Sequence, residues 1–483
     1  MAKKTVQGAT YKDVALDYFD KRGLQRHAGL LALWGLGVAA VVSGDFSGWN
    51  FGIDSAGWGG LFIATVLVII MYYGMLFSIG EMSAALPHTG GAYSFARSAM
   101  GPWGGFVTGF AETIEYVATT AVIVFFSASY ADGIISQLTG TSLPVWVWWI
   151  ILYAIFLALN IAGAEVSFKF AIVVAIASLA VLALFAIMAI ASGKFSFSNL
   201  LDIAPSVEGG TSFLPKGFWA IVAAMPFAMW FFLGIEELPL AAEEAHNPAK
   251  DIPKAGIWGL GTLVVTAMLV LFLNPGVTGS SKIATSGEPL LDGFRAILPN
   301  ANVAALLAAF ALIGLFASLQ GIMFAYGRNI YSLSRAGYYP QSLSLTGKRK
   351  TPYVALIVGA VIGYAALLWA QYGGATAGAV VLNIAVWGAV IAYMLQMISY
   401  VLLKKNMSHL KRPYKSPVGN AGAWIAGLLA LLIFIGQALN PAYRQAIIAI
   451  AVVYVLGLLY FGLVARNNLV LSPEEEAAVK GHK

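Results

Sequence analysis

The sequence predicts an all-α membrane protein of twelve transmembrane helices, built as a five-plus-five inverted repeat whose first and sixth helices are broken. Three observations predict it. The 483-residue chain is 59% hydrophobic and only 10% charged, whereas soluble domains are about a quarter charged. Twelve apolar segments are long enough to span, at about 20 residues each. Two of them, five spans apart, are interrupted by glycines, prolines and carboxylates, and matching interruptions in two halves point to an inverted repeat with a ligand between the breaks.

In chain order the segments are 28–54 (broken), 58–86, 103–136, 145–163, 167–192, 217–243 (broken), 254–277, 302–334, 352–371, 376–403, 422–439 and 443–465. They define a cytoplasmic tail at 1–26, a membrane domain at 27–466 and a second cytoplasmic tail at 467–483. Within the membrane domain the repeats cover about 27–193 and 215–404, followed by helices eleven and twelve. With the N-terminus inside, 23 of the 28 Lys and Arg residues fall on the inner side and five outside. Cytoplasmic loops carry such an excess, so both termini are expected inside the cytoplasmic (inner) membrane. The net charge of +6 therefore reflects topology and gives no reason to expect nucleic-acid binding. The polar start lacks the early apolar run of a cleavable signal peptide. With no cysteine in the chain, disulfides, thiolate metal sites and thiol chemistry are excluded.

The N-terminal tail carries Val14, Leu16, Tyr18 and Phe19 at helical spacing, consistent with a surface anchor or a gate. Span one stops being a helix at VVSGDFSGWN, residues 41–50. Gly44 and Gly48 loosen the backbone, Ser43 and Ser47 offer local hydrogen bonds, and Asp45 puts a carboxylate near mid-membrane depth. A charge at the bilayer centre costs about 2.5–3.5 kcal/mol on the lenient scale, so Asp45 must face protein or water. The stretch reads as half of a ligand site; the alternative is a glycine kink with a structural Asp. Span two ends at Pro87 with a turn at Gly90-Gly91, and Glu81 near its inner end is expected to pair with Arg97 in a structural or gating role. Span three places Glu112 and Glu115 on one helix face. Both must look into the bundle, Glu115 equally well as a hydrogen-bonded structural group. Spans four and five are plain apolar helices, with Ser178 inside span five, and the outer loop 194–216 reads as irregular. Span six repeats the anomaly of span one: Pro226, Gly234 and Pro239 weaken it, and Glu236-Glu237 interrupt its apolar run. Arg328 and Arg335 mark the inner end of span eight, and span ten carries Trp387, Tyr393 and Gln396. The tail after Arg466 is short and charged and reads as disordered.

At membrane depth the ionisable set is one-sided: Asp45, Glu112, Glu115, Glu236 and Glu237, with no Lys or Arg. Such a set invites a cation, whether a substrate amine, a proton or a sodium ion. Aromatics beside the breaks, among them Phe46, Tyr116, Trp230 and Phe231, suit an ammonium group at roughly 1–2 kcal/mol per desolvated contact. Nothing supports catalysis. The chain has no phosphate-binding loop ending in Lys-Ser/Thr, no nucleophile–histidine–acid arrangement and no metal-ligand spacing.

The stretch GEMSAALPHTGGAYSFARSAMGPWGGFVTGF resembles the second-to-third-span signature of the amino acid–polyamine–organocation transporters, and FFLGIEELPLAAEEAHNPAKDIPKA resembles their sixth-span motif. The resemblance covers about 27–466. It implies the fold above, with secondary transport by alternating access. In that family the first break typically reads Gly-Ser-Gly, an aliphatic residue, then Phe; here VSGDF places Asp45 at the aliphatic position. Amino-acid permeases hold the substrate carboxylate on the amides of this break, which a neighbouring Asp opposes. SGDFSGWN together with GIEELPLAAEE is similar to the ethanolamine permeases. Several proton-linked relatives have a lysine in span five where this chain has Ser178, which leaves a proton and a sodium ion both open as the coupling ion.

The expectation is therefore a permease working by symport, importing ethanolamine or a similar small amine as a monomer or weak homo-oligomer. Asp45, Glu112 and Glu236 form the anionic surround. Main-chain groups of Ser43, Gly44, Gly234 and Ile235 orient the hydroxyl or coupling ion, and Trp230 and Phe231 close the pocket. An amino-acid or polyamine permease or exchanger of the same superfamily is the competing expectation.

Overall fold

The computed structural model describes residues 4–15, 17–298, 300–372, 377–440 and 444–481. Leu16 of the tail pattern, and the first residues of the expected segments 376–403 and 443–465, lie outside them. Among the described residues, nine helices are long and apolar enough to cross a membrane, and three shorter apolar helices accompany them. The protein is a multi-pass membrane protein.

The first expected span is α1 (Leu30–Val41), which tightens to a 3-10 turn at Val42–Asp45 and is irregular to Asn50. Its outer half is fused into α2 (Phe51–Ala85), kinked at Gly57. α3 (Gly91–Thr139) is also two pieces, because Pro102 lacks an N–H and Gly101 before it is not helical. α4 (Val145–Ile161) and α5 (Ala164–Ala191) follow. The loop expected to be irregular contains one short turn, α6 (Phe197–Leu200).

The sixth span is α7 (Ala220–Met229), a break, and a 3-10 segment at Ile235–Glu244 entered through Gly234. α8 (Pro248–Thr278) is followed by two small helices, α9 (Ser280–Ile283) and α10 (Pro289–Ile297). Then come α11 (Ala301–Arg335), α12 (Tyr353–Tyr372), α13 (Ala377–Asn406), α14 (Gly419–Leu439) and α15 (Arg444–Leu463). The centre is laid down by α3 against α11 and α13, and by α1 against α5, α8 and α11. The outermost helices keep bare apolar side chains such as Ile187, Leu428 and Leu456 on the outside, as lipid contact requires.

Both tails depart from expectation. Among its described residues the N-terminal tail forms no α-helix, only a 3-10 turn at Asp20–Arg22. Lys4–Val6 (β1) and Ala9–Tyr11 (β2) pair antiparallel, because Gln7 and Gly8 both take positive φ (51° and 78°) in a tight hairpin turn. The C-terminal segment is ordered rather than disordered. Leu469 bridges to Tyr11, and α16 (Pro473–Gly481) follows with Glu474 and Glu475 fully buried. Buried arginines supply the charge that brings those acids in. The N- and C-terminal segments thus meet at one end of the bundle, called here the terminal end.

Candidate functional site between two helix breaks

The two breaks touch, and glycine is what lets them. A Cβ on Gly44 would overlap the Trp230 carbonyl oxygen and come within 3.0 Å of Phe231 Cα. Gly48, at φ 92°, passes with its Cα face against the Trp230 ring, where a Cβ would meet Nε1 at 2.7 Å. On the other strand Gly234 turns the chain at φ 110°, a conformation that other residues rarely adopt. Trp49 and Phe231 then stack across the gap, with ring centroids 5.6 Å apart.

The freed backbone of the first break is held from outside its own helix. Ser318 of α11 accepts from Ser43 N (2.8 Å) and donates to Ala39 O (2.7 Å). Tyr130 donates to Phe46 O (2.7 Å) and accepts from Leu290 N of α10 (3.1 Å). Asn50 Oδ1 accepts from Gly48 N, and its Nδ2 donates to Ile283 O and Ser286 O. Phe46 N and Ser47 N both donate to Ser43 O. In the second break Gly234 N donates to Glu236 (3.2 Å), Ile235 N to Phe232 O, and Glu237 N to Gly234 O. The main-chain groups of Ser43, Gly234 and Ile235 expected to contact a ligand are therefore already engaged within the protein.

All five expected carboxylates are buried, none more than 3% exposed, and none forms an ion pair with a described residue. Glu112, Glu115 and Glu236 act on one another, and Glu115 and Glu236 lie within hydrogen-bonding reach of each other. Around them, Glu112 accepts from Tyr116 (3.3 Å) and from Asn329 Nδ2 of α11 (3.2 Å). Glu115 accepts from Tyr393 of α13 (3.2 Å), whose hydroxyl meets Tyr72 of α2 at 3.1 Å. Glu237 follows Glu236 in the chain, and neither of its side-chain oxygens has a hydrogen-bond partner among the described residues.

Asp45 stands apart from this group. The polar side chain acting on it is Thr266 of α8, a hydroxyl that already donates within its own helix, and both Asp45 oxygens lack a hydrogen bond. Asp45 and the glutamates thus have different polar neighbours. Side-chain direction around a 3-10 turn differs from that of an α-helix, so position along the span does not tell which neighbour Asp45 meets. Ser178 is buried, with its hydroxyl 2.6 Å from Val174 O.

The expected Glu81–Arg97 pair does not form. Glu81 faces Arg412 (3.1 Å), Lys404 (3.6 Å), Tyr400 and Ser416 N, while Arg97 faces Glu475 (2.7 Å). The kink at Gly101-Pro102 directs the first arm of α3 toward the two tails, away from the loop that follows α13. Ser318, Asn329, Tyr130, Asn50 and Thr266 were not singled out by sequence. Their one visible signal was polarity inside apolar runs.

The breaks are sealed from solvent: Phe46, Trp49 and Phe231 are fully buried. A recess of about 610 Å³ opens instead at the end away from the tails, lined by Asp132, Trp148, Glu288 and Arg295 among others. Burial there pushes the Glu288 carboxyl up to about 7, against the opposing pull of Arg295.

One protein family and three relatives resemble this chain. The amino acid permease family matches residues 30–470. The lysine-specific permease of Lactococcus lactis subsp. cremoris is 26% identical, covering 96% of this chain and 93% of its own length. The branched-chain amino acid permease of Bacillus subtilis is 25% identical, over 97% and 98%. An uncharacterized transporter of Rhizobium meliloti is 28% identical, over 82% and 83%.

Proposed function

This chain belongs to the amino acid permease family, and from that premise we propose that it is a secondary transporter importing a small organic amine without a carboxylate, ethanolamine being the first candidate. It would work across the cytoplasmic membrane by alternating access, with twelve spans, an inverted repeat and both termini inside.

One observation carries the substrate reading. The amides of Ser43, Phe46, Ser47 and Gly48 at the first break all donate within the protein, while five buried carboxylates have no cationic partner among the described residues. An amino acid's carboxylate would find few free donors there and several repelling charges, whereas an ammonium ion would supply the missing positive charge. An isolated buried charge is costly, and pairing relieves it. Glu112 and Glu236 are the groups proposed to face the ammonium. Trp230 supports the reading from the other break, since its indole N–H has no acceptor and is free for a substrate hydroxyl.

A second reading is a cationic amino acid permease. The lysine-specific relative favours it, since a lysine side chain would satisfy the same carboxylates. Uptake of labelled ethanolamine into vesicles holding the purified protein, competed by lysine, alanine and putrescine, separates the two. Ethanolamine uptake resistant to alanine and lysine supports the amine reading. Strong inhibition by lysine with no ethanolamine uptake replaces it with the second.

A further inference from the structure

The terminal end carries a group of buried charges that substrate binding does not use. Glu475 of α16 accepts from four side chains: Tyr11 (2.5 Å), Tyr93 (2.8 Å), Arg97 (2.7 Å) and Tyr338 (2.9 Å). They come from the N-terminal hairpin, the first arm of α3 and the turn after α11. Glu474 beside it pairs with Arg335 at the end of α11. The same guanidinium also holds Glu243 (2.5 Å), on the 3-10 half of the broken sixth span. Two turns up α11, Arg328 holds Glu244 through two hydrogen bonds of 2.8 and 3.0 Å. Glu474, Glu475, Arg97 and Arg328 are all fully buried.

Arg335 is thus shared between the segment below the sixth break and α16, and α16 is anchored through Glu475 to α3 and the hairpin. We propose that α16 is a latch that holds the terminal end of the transport path shut, with Glu474 and Glu475 as the groups that fasten it. The proposal rests on the transport reading, in which that end must open in every cycle. The 3-10 segment cannot swing from α11 without parting Glu243 from Arg335 and Glu244 from Arg328. While α16 is docked, Arg97 and Arg335 are compensated in a dry setting, and the closed end is at rest. When α16 leaves, two buried guanidinium groups lose a carboxylate each. An uncompensated buried charge draws in water, and hydration of this end is what opening requires.

Because the chain has no native cysteine, single-cysteine reporters are clean. Ser94 lies under α16, fully buried and with a free hydroxyl, beside Gly90 and Glu474. Maleimide labelling of Ser94→Cys in the full chain is expected to quicken at least about tenfold when Glu474→Gln and Glu475→Gln are added, with the melting transition retained. Unchanged labelling in a folded variant overturns the latch.

Should the double variant fail to fold, a second route remains. A Cβ on Gly90 would sit 3.0 Å from Glu474 Cγ, so the thiols of Gly90→Cys with Glu474→Cys start close together, and loss of free thiol on oxidation reports whether they have joined. Ethanolamine uptake lost on oxidation and restored by reductant supports the latch. Equal uptake in both redox states overturns it and leaves the transport reading intact. If the wild type carries no ethanolamine, that reading fails while the Ser94 labelling still decides on the latch.

Discussion

Gly44 lies directly against the main chain of Trp230, so the two broken helices meet with no side chain between them at that point. The first prediction follows from this contact. Gly44→Ala forces the backbones apart and is expected to cost about 1–3 kcal/mol, as overpacking does. A lowered melting temperature together with lost ethanolamine uptake checks it; a variant as stable as wild type contradicts it.

Asp45 and the glutamates should respond differently to neutralisation. Asp45 is buried and its carboxylate has no hydrogen-bond partner among the described residues, so Asp45→Asn is expected to raise the melting temperature while weakening substrate binding. Stabilisation at the expense of function is common where a site stores unfavourable burial. Calorimetry and uptake on one preparation read both effects, and a destabilised Asp45→Asn protein argues against it.

Glu112→Gln removes the charge and keeps one acceptor oxygen, which can take the bond from Asn329 Nδ2 while the new amide N–H donates to a reoriented Tyr116 hydroxyl. Ethanolamine uptake is expected to fall at least about tenfold, since one lost charge contact of ~1.4 kcal/mol already means a factor of ten. The melting temperature should hardly move. Near-normal uptake would remove Glu112 from the ammonium site.

Ser318 serves two main-chain groups of the first break. In Ser318→Ala the Ser43 N–H is left buried without an acceptor, a loss of about 1–3 kcal/mol. The Ser318→Thr variant, which keeps the hydroxyl, is expected to recover part of that stability in a denaturation series.

Glu288, outside the spans, gives a pH dependence. Its folded-state carboxyl titrates near 7 rather than the ordinary 4.5, so the folded protein binds the extra proton between those values. Stability from this group is therefore highest below about pH 4.5, declines as pH rises toward 7, and is flat above it. Allowing for solvent at the recess mouth, the change is about 2 kcal/mol. Glu288→Gln should remove that slope from melting curves taken between pH 5 and 8.

Much of this was legible before any coordinates. Glycines and prolines at 44, 48, 226 and 234 mark the helix breaks because their effect on the backbone is local. Carboxylates inside apolar runs declare themselves buried because lipid would not tolerate them. The partners of those carboxylates were not legible. Glu81 and Arg97 are near in sequence and form no pair, whereas Arg97 and Glu475, 378 positions apart, do.

By itself the sequence determined the membrane class, the family signatures and the two interruptions, all of which depend on residue type and short-range spacing. Tertiary structure alone decided that Asp45 faces α8 while Glu112, Glu115 and Glu236 gather elsewhere, and that the acidic C-terminus docks in a nest of tyrosines and arginines. The reason is physical: hydropathy and backbone preference act over a few residues, whereas charge pairing is settled by whichever groups packing brings within about 3 Å.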